Sequence, residues 1–212
     1  MADNQTPELF GQTPSQTVGP FFHYALPWEG CADLTGNSPL GARTELFAPE
    51  HLVMHRSGPR GAVPGMPVTI QGRVLDGAGN PVPDALVEIW QADAAGSYAG
   101  TPGLFTGFGR CATDENGAYR FLTILPGRVP GPGNRMQAPH AALGITARGL
   151  LKRLATLLYF EDGEGLAEDP ILELVPGERR ATLVARREGA QGRCYRFDII
   201  LLGPGETVFF EF

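Results

Sequence analysis

Residues 66–93 read MPVTIQGRVLDGAGNPVPDALVEIWQAD, and this stretch decides the fold. Over 66–76, Val68, Ile70, Gly72 and Val74 alternate with Thr69, Gln71 and Arg73, the period of a strand with one buried face. GAGN (77–80) is a turn. PVPD (81–84) delays ladder pairing, because proline has no N–H to donate. ALVEIWQAD (85–93) is a second strand, apolar on both faces apart from Glu88, and is expected at the centre of a sheet.

The same signals recur further along the chain. Asp114-Glu115-Asn116-Gly117 carries the Asn-Gly hairpin signature, and AYRFLTIL (118–125) follows as a strand. ALGITARG (142–149) and ATLLYFED (155–162) are two more. A helical-looking piece covers about 168–185. GRCYRFDIILLG (192–203) alternates Tyr195, Phe197, Ile199 and Leu201, and ETVFFEF (206–212) also reads as a strand. About seven short strands at this spacing predict an all-β fold, an antiparallel β-sandwich with little helix. Its expected extent is 67–212.

Residues 1–66 are different. They hold scattered Gly and Pro and no sustained period, and are expected to form an irregular arm with connecting loops that packs on a partner. GPFFHYALPWEG (19–30) crowds Phe21, Phe22, His23, Tyr24 and Trp28 into a segment that cannot be one regular element. So many apolar rings are costly in a free tail, which implies burial against this chain or another.

Composition agrees with a turn-rich β protein. The 212 residues include 29 Gly and 19 Pro, together roughly 23% against about 12% in average usage. With 42% hydrophobic and 19% charged residues, the chain is too apolar for disorder. A net charge of −6 without a basic cluster disfavours nucleic acid and anionic membranes as partners. No apolar run is long enough for a membrane span. The polar, acidic start lacks the basic and apolar regions of a secretory signal. Cys31, Cys111 and Cys194 are odd in number and widely spaced, which disfavours a disulfide framework, a zinc site or an iron–sulfur cluster. The chain is therefore expected in the cytoplasm. There is no HExxH, no GxSxG and no phosphate loop between a strand and a helix.

The segment GRVLDGAGNPVPDALVEIWQADAAGSY (72–98) resembles the signature of the intradiol ring-cleavage dioxygenases. Its opening also occurs in transthyretin-like β-sandwich modules, but EIWQADAAGSY is far more specific. GFGRCATDENGAYRFLTILPG (107–127), APH (138–140) and CYRFDIILLGPGETVFF (194–210) follow in the family's order. The resemblance runs from about residue 13 to the C-terminus.

Members of this family that bind metal hold a non-haem Fe(III) with two Tyr and two His. Tyrosinate is a hard anionic ligand suited to ferric ion, and imidazole complements it. Carried over residue by residue, Tyr98 matches the first tyrosine and His140 the first histidine. The second tyrosine falls on Val129 in PGRVPG, and the second histidine on Ala142 in His140-Ala141-Ala142. Neither Val nor Ala can ligate a metal. Tyr98 and His140 are then vestigial ligand positions. Tyr98 reads better as a hydrogen-bonded loop tyrosine, and His140 as a satisfied core histidine.

This loss matches a branch of the family in which homologous alpha and beta chains form a large oligomer and only beta keeps the iron. TPSQTVGPFFHY (13–24), QAPH (137–140), ITARGL (145–150) and GPGETVFFEF (203–212) resemble alpha. The resemblance implies a cofactor Fe(III) bound by the partner beta subunit and not by this chain. It implies O2-dependent cleavage of protocatechuate (3,4-dihydroxybenzoate) to 3-carboxy-cis,cis-muconate. It further implies that Thr17, Gly19, Pro20 and Phe21 line the substrate pocket of the neighbouring beta chain. Phe21 stands where the family often has Tyr, so a hydroxyl contact is absent. Arg148 matches an Arg placed near the substrate carboxylate; Arg153, Arg179 and Arg180 are otherwise equally available for surface ion pairs. No residue of this chain is expected to be catalytic or to bind metal. Trp28 and Trp90 read as packing residues. Asp76, Asp84 and Asp93 read as turn caps. The alternatives are a stand-alone catechol-type dioxygenase, which Val129 and Ala142 oppose, and a non-catalytic transthyretin-like module, which the matches at 13–24 and 194–212 oppose.

Overall fold

In the computed structural model, Val68, Ile70 and Val74 of the first strand are buried, as their alternation predicts. The structure describes residues 13–22, 26, 28, 30–41, 62–98, 105–189 and 193–211. Its strands are β1 (Pro67–Leu75), β2 (Leu86–Gln91), β3 (Phe108–Ala112), β4 (Ala118–Ile124), β5 (Val129–Pro130), β6 (Met136–Gln137), β7 (His140–Thr146), β8 (Leu154–Phe160), β9 (Val184–Glu188), β10 (Cys194–Arg196) and β11 (Ile199–Ile200).

All but β5 and β6, which pair only with each other, form the two layers of a β-sandwich. One runs β4–β1–β10–β9, and the other runs β3–β2–β7–β8. Most pairings are antiparallel; β1 pairs in parallel with β10 and β11, and β8 with β9. β9 lies beside both β10 and β8 and so joins the layers at one edge. At the other edge, residues 31–34 fill the gap between β3 and β4. Arg110 N–H donates to the Cys31 carbonyl at 2.8 Å, and Leu122 N–H to the Ala32 carbonyl at 2.9 Å. Cys31, Ala32, Asp33 and Leu34 are all buried. These residues belong to the sandwich although they lie within the segment 1–66.

The core between the layers holds Val87, Ile89, Phe121, Leu143, Ile145, Leu158, Phe160 and Tyr195 among others. Gln91 links the layers across it: its amide donates to the Ile124 carbonyl at 2.8 Å and accepts the Thr123 hydroxyl at 2.9 Å. A buried amide is tolerated only when paired in this way. A second apolar cluster, with Leu157, Tyr159, Leu172, Val175 and Leu183, lies between β8 and the segment 166–183.

Four sequence expectations change in detail. The piece at 168–185 is not one helix. It is three 3-10 turns (Leu166–Glu168, Leu172–Leu174 and Gly177–Leu183) followed by β9. The strand expected over 192–203 is broken into β10 and β11. The Phe197 carbonyl presses against Gly72, where any Cβ would collide with it, and the Asp198 carboxylate accepts the Arg73 N–H at 3.0 Å. Side chain thus replaces backbone at a bulge. ETVFFEF (206–212) is not a full strand over its described residues; it makes one bridge, Ala155 to Phe210. The Asp114–Gly117 turn forms, with Gly117 at φ +70°, but it joins strands of different layers, since β3 pairs with β2 and β4 with β1. Among the described residues no helix is long and apolar enough to cross a membrane.

Candidate functional site

Strand β7 organises both regions that the sequence singles out. His140 opens it, and Arg148 lies in the turn just beyond its end. Six residue steps of strand separate His140 from Thr146, about 20 Å at strand rise.

At the first end, His140 and Tyr98 meet. The Tyr98 hydroxyl lies 3.3 Å from His140 Nε2, and His140 Nδ1 lies 2.8 Å from the Ala138 carbonyl. A carbonyl only accepts, so Nδ1 carries the proton and Nε2 accepts from the tyrosine. The Nε2 lone pair therefore has a partner within the chain. Burial holds the imidazole below its ordinary pKa and raises that of the Tyr98 phenol. The Tyr159 ring packs on His140 at 5.5 Å, and its hydroxyl donates to Asp169 at 3.1 Å. Buried Asp169 also accepts the N–H groups of Ala138, Ile171 and Leu172 at 2.7, 2.9 and 2.9 Å. This carboxylate, unmarked in the sequence reading, organises the whole corner.

Val129 and Ala142, where the resemblance puts the other two ligands, are apolar. Ala142 shares the His140 face of β7 and packs on the second cluster, beneath Trp90 of β2. Val129 is buried in β5. Its loop does approach the Tyr98 loop: Gly127 N–H donates to the Asp93 carbonyl at 2.8 Å, and Gly96, at φ +81°, lies hard against the Arg128 carbonyl. The backbone juxtaposition is thus present, with two donors instead of four. Such a set does not fit ferric ion. Trp90 differs from its reading as a packing residue. It is 52% exposed and touches Tyr98 at a ring distance of 5.0 Å, while Trp28 is buried against Phe108.

At the other end, the N-terminal arm lies on the turn after β7. Thr17 Oγ accepts the Gly149 N–H at 2.7 Å and donates to the Val18 carbonyl at 3.2 Å. Gly19, Pro20 and Phe21 form an exposed tip, with Phe21 at 74% exposure and Phe22 N–H closing back on the Gly19 carbonyl. His23 and Tyr24 lie outside the described residues. The Arg148 side chain is 60% exposed, and its Nε sits 3.1 Å from Asp84 Oδ2. Asp76 and Asp93 do cap their turns, each accepting two local N–H groups. Asp84 does not; it faces Arg148. The structure therefore brings Thr17 and Arg148 together and keeps both at the opposite end of the strand from His140.

Between the ends, Glu88 receives Arg110 Nε at 2.8 Å and Arg153 Nε at 2.9 Å. The guanidinium of Arg153 lies flat over Gly144, where a Cβ would collide with it. This commits Arg153. Arg180 is likewise committed, donating to the Val175 and Glu173 carbonyls. Arg179 donates to the Glu206 carbonyl at 3.0 Å. The lone Glu88 in an apolar strand was the sequence signal for such a half-buried ion pair.

Comparison with known proteins agrees with this geometry. A family model described as "Dioxygenase" matches residues 45–203. The chain is 41% identical over 211 residues to the protocatechuate 3,4-dioxygenase alpha chain of Burkholderia cepacia, covering 94% of this chain and 97% of that protein. It is 35% identical to the beta chain of the same organism, over 80% and 79% of the two chains. The dioxygenase domain of a carbohydrate-binding fusion protein from Streptomyces sp. SirexAA-E superimposes with a TM-score of 0.54 at 30% identity, over 69% of this chain and 89% of that one.

Proposed function

The chain belongs to the dioxygenase family of intradiol type, and from that membership we propose that it is the iron-free alpha chain of a protocatechuate 3,4-dioxygenase. Its partner in this reading is a homologous beta chain that holds Fe(III), in an alpha–beta oligomer of the cytoplasm. The complex would cleave 3,4-dihydroxybenzoate with O2, between the hydroxyl-bearing carbons, to 3-carboxy-cis,cis-muconate.

One observation carries the reading. Val129 and Ala142 stand where the resemblance puts the second tyrosine and the second histidine, and neither side chain can ligate a metal. The near full-length likeness to an alpha chain supports it, as does the weaker likeness to a beta chain. The same two substitutions oppose a stand-alone catechol-type enzyme.

The residues at the Arg148 end then do the work of this chain. The segment 1–66 packs on the partner where it is not folded into the sandwich. Thr17, Gly19, Pro20 and Phe21 contribute pocket wall: Gly and Pro let backbone approach closely in a fixed shape, and the Phe ring excludes water. Arg148 meets the substrate carboxylate, since a planar guanidinium matches a planar carboxylate with two parallel hydrogen bonds.

The test is expression of the chain alone and together with its beta partner. Alone, it is expected to be colourless, without stoichiometric iron and without oxygen uptake on protocatechuate. Together, the iron colour and the oxygen uptake appear. About one iron per chain with a tyrosinate-to-iron absorbance in the chain alone overturns the proposal.

A further inference from the structure

We propose that Asp84 is a positioning residue, holding the Arg148 guanidinium so that its two terminal nitrogens face a ligand carboxylate. The inference rests on the reading that Arg148 meets the substrate.

The Asp84 side chain is only 10% exposed, and its Oδ2 is buried without a hydrogen bond. A buried carboxylate oxygen in that state is costly unless a charge compensates it. Its ion-pair partner is Arg148 Nε, at 3.1 Å. Contact through Nε leaves the outer edge of the guanidinium, Nη1 and Nη2, without a hydrogen-bond partner among the described residues. That edge is the one that takes a carboxylate in two parallel bonds.

The platform under Asp84 is rigid. The buried Thr113 hydroxyl donates to the Val82 carbonyl at 2.8 Å and accepts the Ala85 N–H at 3.0 Å, clamping the turn on both sides of Asp84. Thr113 N–H also donates to the Ala85 carbonyl at 2.9 Å. On the other side, the turn bearing Arg148 is closed by Leu150 N–H to the Ala147 carbonyl at 3.2 Å and is tied to the arm through Thr17 and Gly149. A long, exposed side chain normally samples many rotamers. Here its inner nitrogen is anchored to a fixed carboxylate, so fewer rotamers remain to be lost when a ligand arrives.

The experiment uses the co-expressed alpha–beta complex with Asp84→Asn, Asp84→Glu and Arg148→Ala in this chain. Two pairs of compounds are compared. Oxygen uptake is measured with 3,4-dihydroxybenzoate and with 1,2-dihydroxybenzene, which lacks the carboxylate. Calorimetric binding is measured with 4-hydroxybenzoate and with phenol, which reads recognition without turnover. Asp84→Asn is expected to raise KM and Kd for the acids about tenfold, while kcat and the values for the uncharged compounds stay within about twofold. Asp84→Glu keeps the charge one methylene too far out and is expected to give about threefold. Arg148→Ala acts in the same direction and more strongly, and adding Asp84→Asn to it has no further effect.

An equal loss for acids and uncharged compounds in Asp84→Asn assigns Asp84 a merely structural role and overturns the proposal. So does an unchanged acid preference in Asp84→Asn when Arg148→Ala abolishes it. If Arg148→Ala itself leaves the preference intact, the carboxylate reading of Arg148 fails, and positioning fails with it. Should Asp84→Asn not assemble, an unchanged acid preference in the assembled Asp84→Glu complex overturns the proposal.

Discussion

At its His140 end, β7 enters a corner in which Tyr98, His140, Tyr159 and Asp169 satisfy one another. At its Arg148 end it runs into a turn where a buried carboxylate oxygen lacks a hydrogen bond and an exposed guanidinium keeps two nitrogens without a hydrogen-bond partner among the described residues. In the first arrangement the donors turn to each other: Tyr98 meets His140 Nε2, and His140 Nδ1 meets the Ala138 carbonyl. The second retains polar capacity that the chain does not use by itself. A buried carboxylate oxygen without a hydrogen bond calls for a physical account, and the Arg148 charge beside it supplies one. By this comparison Tyr98 and His140 are bonded into the fold, whereas the arm and the turn at Arg148 lie exposed, where the proposed function puts the contact with the partner's substrate.

The strongest blow to the comparison would fall on Asp169. Asp169→Ala leaves the Tyr159 hydroxyl, two buried N–H groups and one half-buried N–H group without an acceptor. It is expected to destabilise the chain by about 3–5 kcal/mol, read from urea unfolding. A loss under about 1 kcal/mol would mean that the His140 corner is not held by this carboxylate.

A milder change sharpens the same point. Tyr98→Phe takes the partner from His140 Nε2 and is expected to cost about 1 kcal/mol, with oxygen uptake by the complex unchanged. Lost activity at unchanged stability would move Tyr98 into the working part of the molecule.

The His140 corner also predicts a pH dependence. Its imidazole is held below the ordinary value of 6.5 by burial. The unfolded chain therefore takes up the proton first. Stability is full above pH 6.5 and falls as pH drops through the lowered folded value. His140→Phe should flatten the urea midpoint between about pH 7.5 and pH 5.5. An unchanged slope would locate the titration elsewhere.

The smallest effect is expected at the opposite end. Thr17→Val loses one exposed hydrogen bond to Gly149. It should change stability by less than about 0.5 kcal/mol, while limited proteolysis cleaves the arm faster. A large stability loss would make the arm part of the structural half and erase the contrast.

Some of this was legible in the residues alone. Period-2 alternation over 66–76 identified β1 because one buried face needs every second side chain apolar, and the two-sided apolarity of 85–93 marked β2 as central. The break between β10 and β11 was invisible, because it depends on a carbonyl 125 residues away in the chain pressing on Gly72. The 206–212 segment reads like a strand yet makes a single bridge over its described residues. Alternation records a half-buried extended chain and says nothing about whether a neighbour's N–H and C=O groups are free to pair. Asp84 looked like Asp76 and Asp93, each beside a turn. Only the packing of β7 against β2 brings an arginine to it from 64 residues away.

The sequence by itself determined what the chain can hold. The identities of Val129 and Ala142 exclude them as ligands in any conformation, because no arrangement of atoms gives a methyl group a lone pair. The tertiary structure decided which polar residues meet. A hydrogen bond depends on ångströms and angles that residue type does not encode. Through those, Tyr98 and His140 close on each other, while Thr17 and Arg148 are gathered at the far end of the strand.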